Sequence, residues 1–350
     1  MMKKKRMILV SVLTIFVCLA AYAGGGQEEG AKQVIRLNAG CGHPESMAYV
    51  ALFRDFFIPE VTKRVEERTG YRIEWTQAWG GSVAKLADQF ESVESGLLDF
   101  AVTGPGGFEP VKTSGFALTG WLPFNSPDSL QSSIALKETM AKFPDVVKEI
   151  YYDHNILPLI VCALPNYDLI TTFEWKNISD LKGKKIAAYG TNLNFLKGTG
   201  AVAVQSNLNE AYTCFQTGVY EGWIMSGDLT VDFKLNEVAP HLKKIGFGVL
   251  PFIWGMNLAT WEKLPKEVQD IILEVADEYM RLECKTTDEQ NQEAYDIIVQ
   301  QGGTVTSLTD AQKAEWAKML PNLPMQWVTE EEAKGYPARE ILRVYIQELE

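Results

Sequence analysis

Histidine and cysteine are scarce: three histidines and five cysteines among 350 residues. His43, His154 and His241 lie far apart, and the cysteines form no CxxC pair. That excludes the sequence spacings of a zinc site, a redox dithiol and a disulfide framework. There is no GxSxG and no HExxH, so two common hydrolase constellations are missing as well. Positive charge is also in deficit. Lys and Arg total 33 against 45 Asp and Glu, a formal net charge of -12. Such a surface repels phosphate backbones and anionic lipid, which argues against a nucleic-acid partner. No apolar run after the first twenty-three residues is long enough to span a bilayer. With 46% hydrophobic and 22% charged residues, the chain is instead an ordinary globular one, long enough for about two domains.

The N-terminus is built as an export address. Lys3, Lys4, Lys5 and Arg6 form a positive start, Met7 to Ala20 an apolar run, and Ala21-Tyr22-Ala23 a small-residue cleavage site before Gly24. The apolar run reaches about 21 Å, short of the roughly 30 Å hydrocarbon core. A cleavable signal over residues 1–23 and a flexible linker over 24–31 are expected, placing the mature chain in the periplasm. The Gly-rich linker leaves lipid anchoring at Cys18 open, although bulky Val17 before it weakens that reading. The mature chain keeps Cys41, Cys162, Cys214 and Cys284, whose irregular spacing reads as buried free thiols.

The mature chain alternates strand and helix. Val34 to Ala39 reads as a strand. Ser46 to Arg68 reads as an amphipathic helix with a kink or break at Pro59 and Gly70 as its C-terminal glycine. Tyr71 to Trp75 is a second strand, Ser82 to Glu94 a helix and Leu97 to Val102 a third strand. This βαβαβ rhythm predicts a parallel sheet with right-handed crossovers. A helix over Pro127 to Lys142 and a strand over Ile156 to Leu164 follow. A second series then runs through Ala201 to Val204, Asn209 to Gln216 and Gly222 to Met225, before a long helix from Lys266 to Val299. In open α/β sheets ligands sit beyond the carboxyl ends of strands. The loops to watch are therefore 40–44, 77–82, 103–108, 189–194 and 225–228.

Three segments carry a family likeness. Asp180 to Ile186 (DLKGKKI) resembles the "DLKGxKI" segment of solute-binding proteins of tripartite ATP-independent periplasmic (TRAP) transporters. Glu210 to Gly222 resembles that family's "EvYtALQtGvvDG", and Trp261 to Gln269 its "fWdxLPxxvQ". Asp99 sits where "GtlDma" would place it. The likeness runs in order over about residues 32–320. It implies an α/β, two-lobed periplasmic-binding-protein fold of the type II kind, with a hinge and a long helix crossing both lobes. The expected division is 32–162 plus 252–291 for lobe one, 163–251 plus 292–330 for lobe two, and a C-terminal helix over 331–350. It also implies capture of a small-molecule solute between the lobes and delivery to TRAP membrane permease subunits. Glu210, Tyr212, Gln216 and Gly218 read as fold markers and not as ligand contacts.

The departures bear on the ligand. After "KI" the family typically has an arginine that grips a carboxylate bidentately; here that position is Ala187. Where the family reads "QEN" after "DG", this chain has Trp223-Ile224-Met225. A second, more loosely placed arginine of the family falls at Asn166. A desolvated carboxylate without a fixed cation costs several kcal/mol. Apolar surface instead gains about 25 cal/mol per Å² covered. The candidate ligand residues are Trp79, Leu208, Trp223, Met225, Ala187, Tyr189, Asn166, His43 and Trp254, and they favour a hydrophobic, fatty-acid-like solute. This resembles the arginine-lacking branch that works with a tetratricopeptide-repeat lipoprotein partner.

Other readings compete with this one. A polar carboxylate could be held by Lys184, Lys185 or Lys197, or by backbone N–H groups at a helix N-terminus. A ligand-free surface interaction protein on the same fold would have a filled cleft. Thr103 to Phe108 could cradle a phosphate but lacks the P-loop lysine. Cys41 with His43 has no orienting third group. No enzyme, cofactor or metal is implied.

Overall fold

The computed structural model describes residues 32–104, 111–124 and 128–350. The expected signal and linker lie outside these residues, as do Pro127 and positions 105–108 of the candidate phosphate loop. The described chain folds around two sheets with helices on their faces. The first contains β1 (Gln33–Gly40), β2 (Tyr71–Ala78), β3 (Phe100–Val102), β4 (Ile156–Ala163) and β10 (Pro251–Asn257), in the order β2-β1-β3-β10-β4. The second contains β5 (Asp168–Thr171), β6 (Lys185–Ala188), β7 (Val202–Gln205), β8 (Gly222–Met225), β9 (His241–Lys244) and β11 (Thr304–Ser307), in the order β11-β9-β5-β8-β6-β7.

Both sheets are mixed: the three βαβαβ strands pair in parallel as expected, and the strands contributed later in the chain add antiparallel neighbours. β1 is parallel to β2 and β3, but β10 returns from the second sheet and inserts antiparallel between β3 and β4. In the second sheet β5 runs antiparallel to β8 and β9. Apolar periodicity gives a strand's existence and says nothing of its direction, so this difference was invisible to pattern.

The kink predicted at Pro59 has a specific form. Helix Ala48–Leu52 passes through a π-helical stretch, Phe53–Phe57, into Ile58–Arg68. Proline has no N–H to give the carbonyl four residues back, and its ring crowds that carbonyl. Widening the turn just before Pro59 accommodates both effects, and the Ile58 N–H donates to the Phe53 carbonyl. The expected glycine cap at Gly70 is not formed: Gly70 is absent from the positive-φ residues. Thr69 ends the helix in extended backbone instead, with its Oγ1 donating to the Val65 carbonyl and accepting from the Tyr71 N–H. Gly218, by contrast, closes helix Leu208–Gln216 at φ 72°.

The chain crosses between the sheets at positions 164–167 and 245–250. The two crossing segments are bonded to each other: Leu164 N–H donates to Leu250 at 2.9 Å, Tyr167 N–H to Gly248 at 3.0 Å and Phe247 N–H to Tyr167 at 2.9 Å. Helix Lys266–Gln300 spans 35 residues. Near its start Arg64 bonds Glu274 and Glu278, and near its end Tyr295 donates to Asp168 of β5 at 2.7 Å. It therefore bridges the two halves. The terminal helix Ala338–Leu349 packs on Ser129–Lys142, where Ser132 and Tyr345 share a hydrogen bond of 2.8 Å. No helix among the described residues is long and apolar enough to cross a membrane.

Candidate functional site

A cavity of about 90 Å³ lies between the halves, beside the crossing segments. It sits beyond the carboxyl ends of β1, β6, β7 and β8, the position expected for an open α/β sheet. His43, which follows β1, lines one side with Met47 and Leu86. Gly42 lets this segment approach closely, since a Cβ there would stand 2.5 Å from the Leu86 nitrogen. Tyr189 and Asn192 enter after β6. Asn207, Leu208 and Asn209 enter where β7 gives way to helix Leu208–Gln216. Trp223, Ile224 and Met225 of β8 form the floor, with Leu229 beyond them. Leu164, Tyr167 and Leu250 of the crossing segments close the back.

Five of the nine candidate residues therefore share this wall: His43, Tyr189, Leu208, Trp223 and Met225. The other four do not line it. Trp254 is wholly buried, stacked on Phe53 at a ring separation of 3.9 Å, with its indole N–H donating to Tyr279. Its alternate neighbours on β10 point elsewhere, and pattern alone could not tell which face was core. Ala187 is enclosed in β6 beside Trp223. Trp79 is half-buried against the Phe53 ring edge. Asn166 belongs to a separate groove on the far side of the crossing segments, with Asp168, Lys244 and Lys313.

The electrostatics are simple. Among the described residues, no Arg or Lys lines the cavity. Lys184 pairs with Glu221 at 2.7 Å, and Lys197 lies over the Trp121 ring. Lys185 is exposed on β6. His43 is the sole lining residue that could carry positive charge, and burial lowers its pKa to about 4, so it is neutral at physiological pH. Its Nδ1 shares a hydrogen bond of 2.5 Å with the Tyr49 hydroxyl, which also contacts Cys41 Sγ at 3.6 Å. Burial pushes the Cys41 thiol up to about 11. It is therefore a protonated thiol, and this trio offers no activated nucleophile.

The segments that carry the family likeness do structural work. Asp180 accepts from the Lys176 and Asn177 N–H groups at 2.9 Å, closing a capping box. Asp99 accepts from Asn38 N–H and from Thr260 Oγ1, each at 2.7 Å. Glu210 accepts from Ser206 Oγ at 3.0 Å, next to the cavity but not on its wall.

Comparison with known proteins settles the family. Residues 58–329 match the model for bacterial extracellular solute-binding protein, family 7. The chain belongs to that family. It is 28% identical to a solute-binding protein of Albidiferax ferrireducens over 141 residues, or 39% of this chain and 42% of that protein. The match to this curated relative thus spans under half its length. Among solved structures, a TRAP solute-binding protein from Rhodoferax ferrireducens with copurified benzoate superposes with a TM-score of 0.80. That match has 16% identity and covers 90% of this chain and 97% of the other. A TRAP periplasmic solute-binding protein from Bordetella bronchiseptica with bound mandelate gives 0.76 at 22% identity, covering 90% and 98%. At these identities the structural likenesses establish the two-lobed α/β fold.

Proposed function

We propose that this family member is a periplasmic receptor that captures a compact, mainly apolar solute between its lobes and hands it to a TRAP membrane permease. One observation carries the ligand class: among the described residues no Lys or Arg faces the cavity, and its one histidine is held neutral. A solute carrying two carboxylates would leave at least one buried charge uncompensated, which costs several kcal/mol. Size narrows the reading further. About 90 Å³ is below the roughly 150 Å³ of an engineered apolar cavity that accepts benzene. A short aliphatic chain suits this form, while a ring or a long fatty acid requires the halves to separate further. The benzoate and mandelate held by the two structural relatives are each larger than benzene, so solutes like them also need that separation.

A monocarboxylate has one place to rest. Asn207, Leu208 and Asn209 bring the first turn of helix Leu208–Gln216 to the cavity wall. First-turn N–H groups have no intrahelical partner and favour an anion. This keeps a single carboxylate compatible with an apolar pocket. An open cavity, in turn, is not what a ligand-free interaction protein would retain. Delivery to a tetratricopeptide-repeat lipoprotein before the permease is part of the proposal and rests on the missing arginine at Ala187.

The test is a thermal-shift panel on the mature chain. Benzoate, mandelate and medium-chain fatty acids are expected to raise the melting temperature by several degrees, with succinate and sialic acid leaving it unchanged. A large shift with succinate and none with the apolar acids would overturn the ligand class while leaving the family intact.

A further inference from the structure

Beneath the crossing segments, away from the cavity wall, lies a second cluster. Cys162 near the end of β4 meets Glu283 and Cys284 midway along helix Lys266–Gln300. The two sulfurs and a Glu283 carboxylate oxygen lie within 4.8 Å of one another, and all three residues are buried. Neither Glu283 oxygen has a hydrogen-bond partner, although the residue is 0% exposed. A buried carboxyl with no donor is costly whether it is charged or neutral. Ser133 Oγ stands 3.3 Å from the Cys284 sulfur, adding a fourth polar side chain beside the group.

We propose that Cys162, Glu283 and Cys284 form a structural site for a divalent, thiolate-preferring metal ion of the zinc class. Two thiolates and one carboxylate are a donor set that zinc takes. Zinc–sulfur bonds of about 2.3 Å put two sulfurs on one tetrahedral ion about 3.8 Å apart. The observed grouping, within 4.8 Å, is compatible with that spacing. Binding displaces up to three protons, one from each thiol and one from the carboxyl, so affinity rises with pH. The unpartnered Glu283 oxygens gain their missing partner. The ion ties the strand that leads into the first crossing to the helix that bridges both halves. Because the site is enclosed, the ion enters as the chain folds. Cys162 is far in sequence from the adjacent Glu283 and Cys284, so no spacing announces the site.

The experiment uses the full mature chain, reduced and stripped of metal. Cobalt(II) is added to folded protein and, separately, during refolding. The expected result is one bound equivalent with sulfur-to-cobalt charge-transfer absorption in at least the refolded sample, lost when zinc is added. Melting temperature should rise with the metal. Glu283→Gln keeps the shape and both thiols, and should weaken cobalt binding at least tenfold. Cys162→Ser and Cys284→Ser should each abolish the charge-transfer band, with circular dichroism reporting that the variants fold. Two titratable thiols with no cobalt band under either regime would overturn the proposal. So would a Cys162–Cys284 disulfide in protein isolated without reductant, since that bond consumes both thiolate donors.

Discussion

Two recesses flank the crossing segments, and they differ in charge. The cavity is walled by Leu208, Trp223, Met225 and other apolar groups, with amides, tyrosines and one neutral histidine as its polar content. The groove on the other side gathers Asp128, Asp168, Asp288, Lys244 and Lys313 around Asn166. Both are bordered by the same short stretches of backbone. The charged side chains at the crossing segments thus line the groove and not the cavity. A missing arginine does not carry equal weight at the two positions that suggested it. Ala187 is enclosed beside Trp223, which lines the cavity, whereas Asn166 lines the groove.

The contrast can be broken most severely by moving a charge across it. Leu208→Arg should lower affinity for an apolar solute about a hundredfold, because an unpaired buried charge costs several kcal/mol. Asn166→Arg, the same charge placed in the groove, should leave affinity within about twofold. Calorimetric titration of both variants checks this, and equal losses would erase the distinction between the recesses. Next in size is a separation of core from cavity. Trp254→Ala should destabilise folding by about 3–5 kcal/mol, read by chemical denaturation. Leu208 is only partly buried, so Leu208→Ala should cost less than about 2 kcal/mol while weakening solute binding more than Trp254→Ala does.

Two smaller effects concern protons. His43 has a folded pKa of about 4 against an ordinary 6.5, because burial disfavours its charged form. The unfolded chain takes up this proton first, so stability falls as pH drops from about 6.5 to 4. His43→Gln should flatten that fall. Asp228, just past the cavity floor, is pushed the other way: burial raises it from 3.8 to about 7. The unfolded chain then loses the proton first, so its contribution to stability declines as pH rises from about 4 to 7 and is level above that. Asp228→Asn should remove this decline, and melting curves across pH separate the two opposing slopes.

Much of this was legible in the sequence, for identifiable reasons. Strand ends followed by glycine, as at Gly42 after β1 and Gly190 after Tyr189, pointed to the loops that reach the cavity. Helix Leu208–Gln216 and the 35-residue helix announced themselves by period and by caps. Strand direction did not, since β10 carries the same apolar signal whichever way it runs. The crossing residues Leu164, Tyr167 and Leu250 were missed because they lie in short apolar stretches with no period to read. Trp254 and Trp79 looked like ligand contacts because aromatic residues at strand ends serve core and cavity alike, and only the direction of the side chain separates the two. Asn207 and Asn209 were missed beside Leu208 because polar residues at a helix start read first as caps.

The most direct test sets a charged solute against its neutral counterpart. Calorimetric affinities of the mature chain for benzoate and for benzamide, measured at neutral pH, differ only in whether the site must neutralise an anion. The neutral compound should bind at least as tightly as the acid. Benzoate binding about a hundredfold or more tightly, beyond what the first-turn N–H groups of helix Leu208–Gln216 can supply, would mean that a cation reaches the solute after all, and would contradict the account.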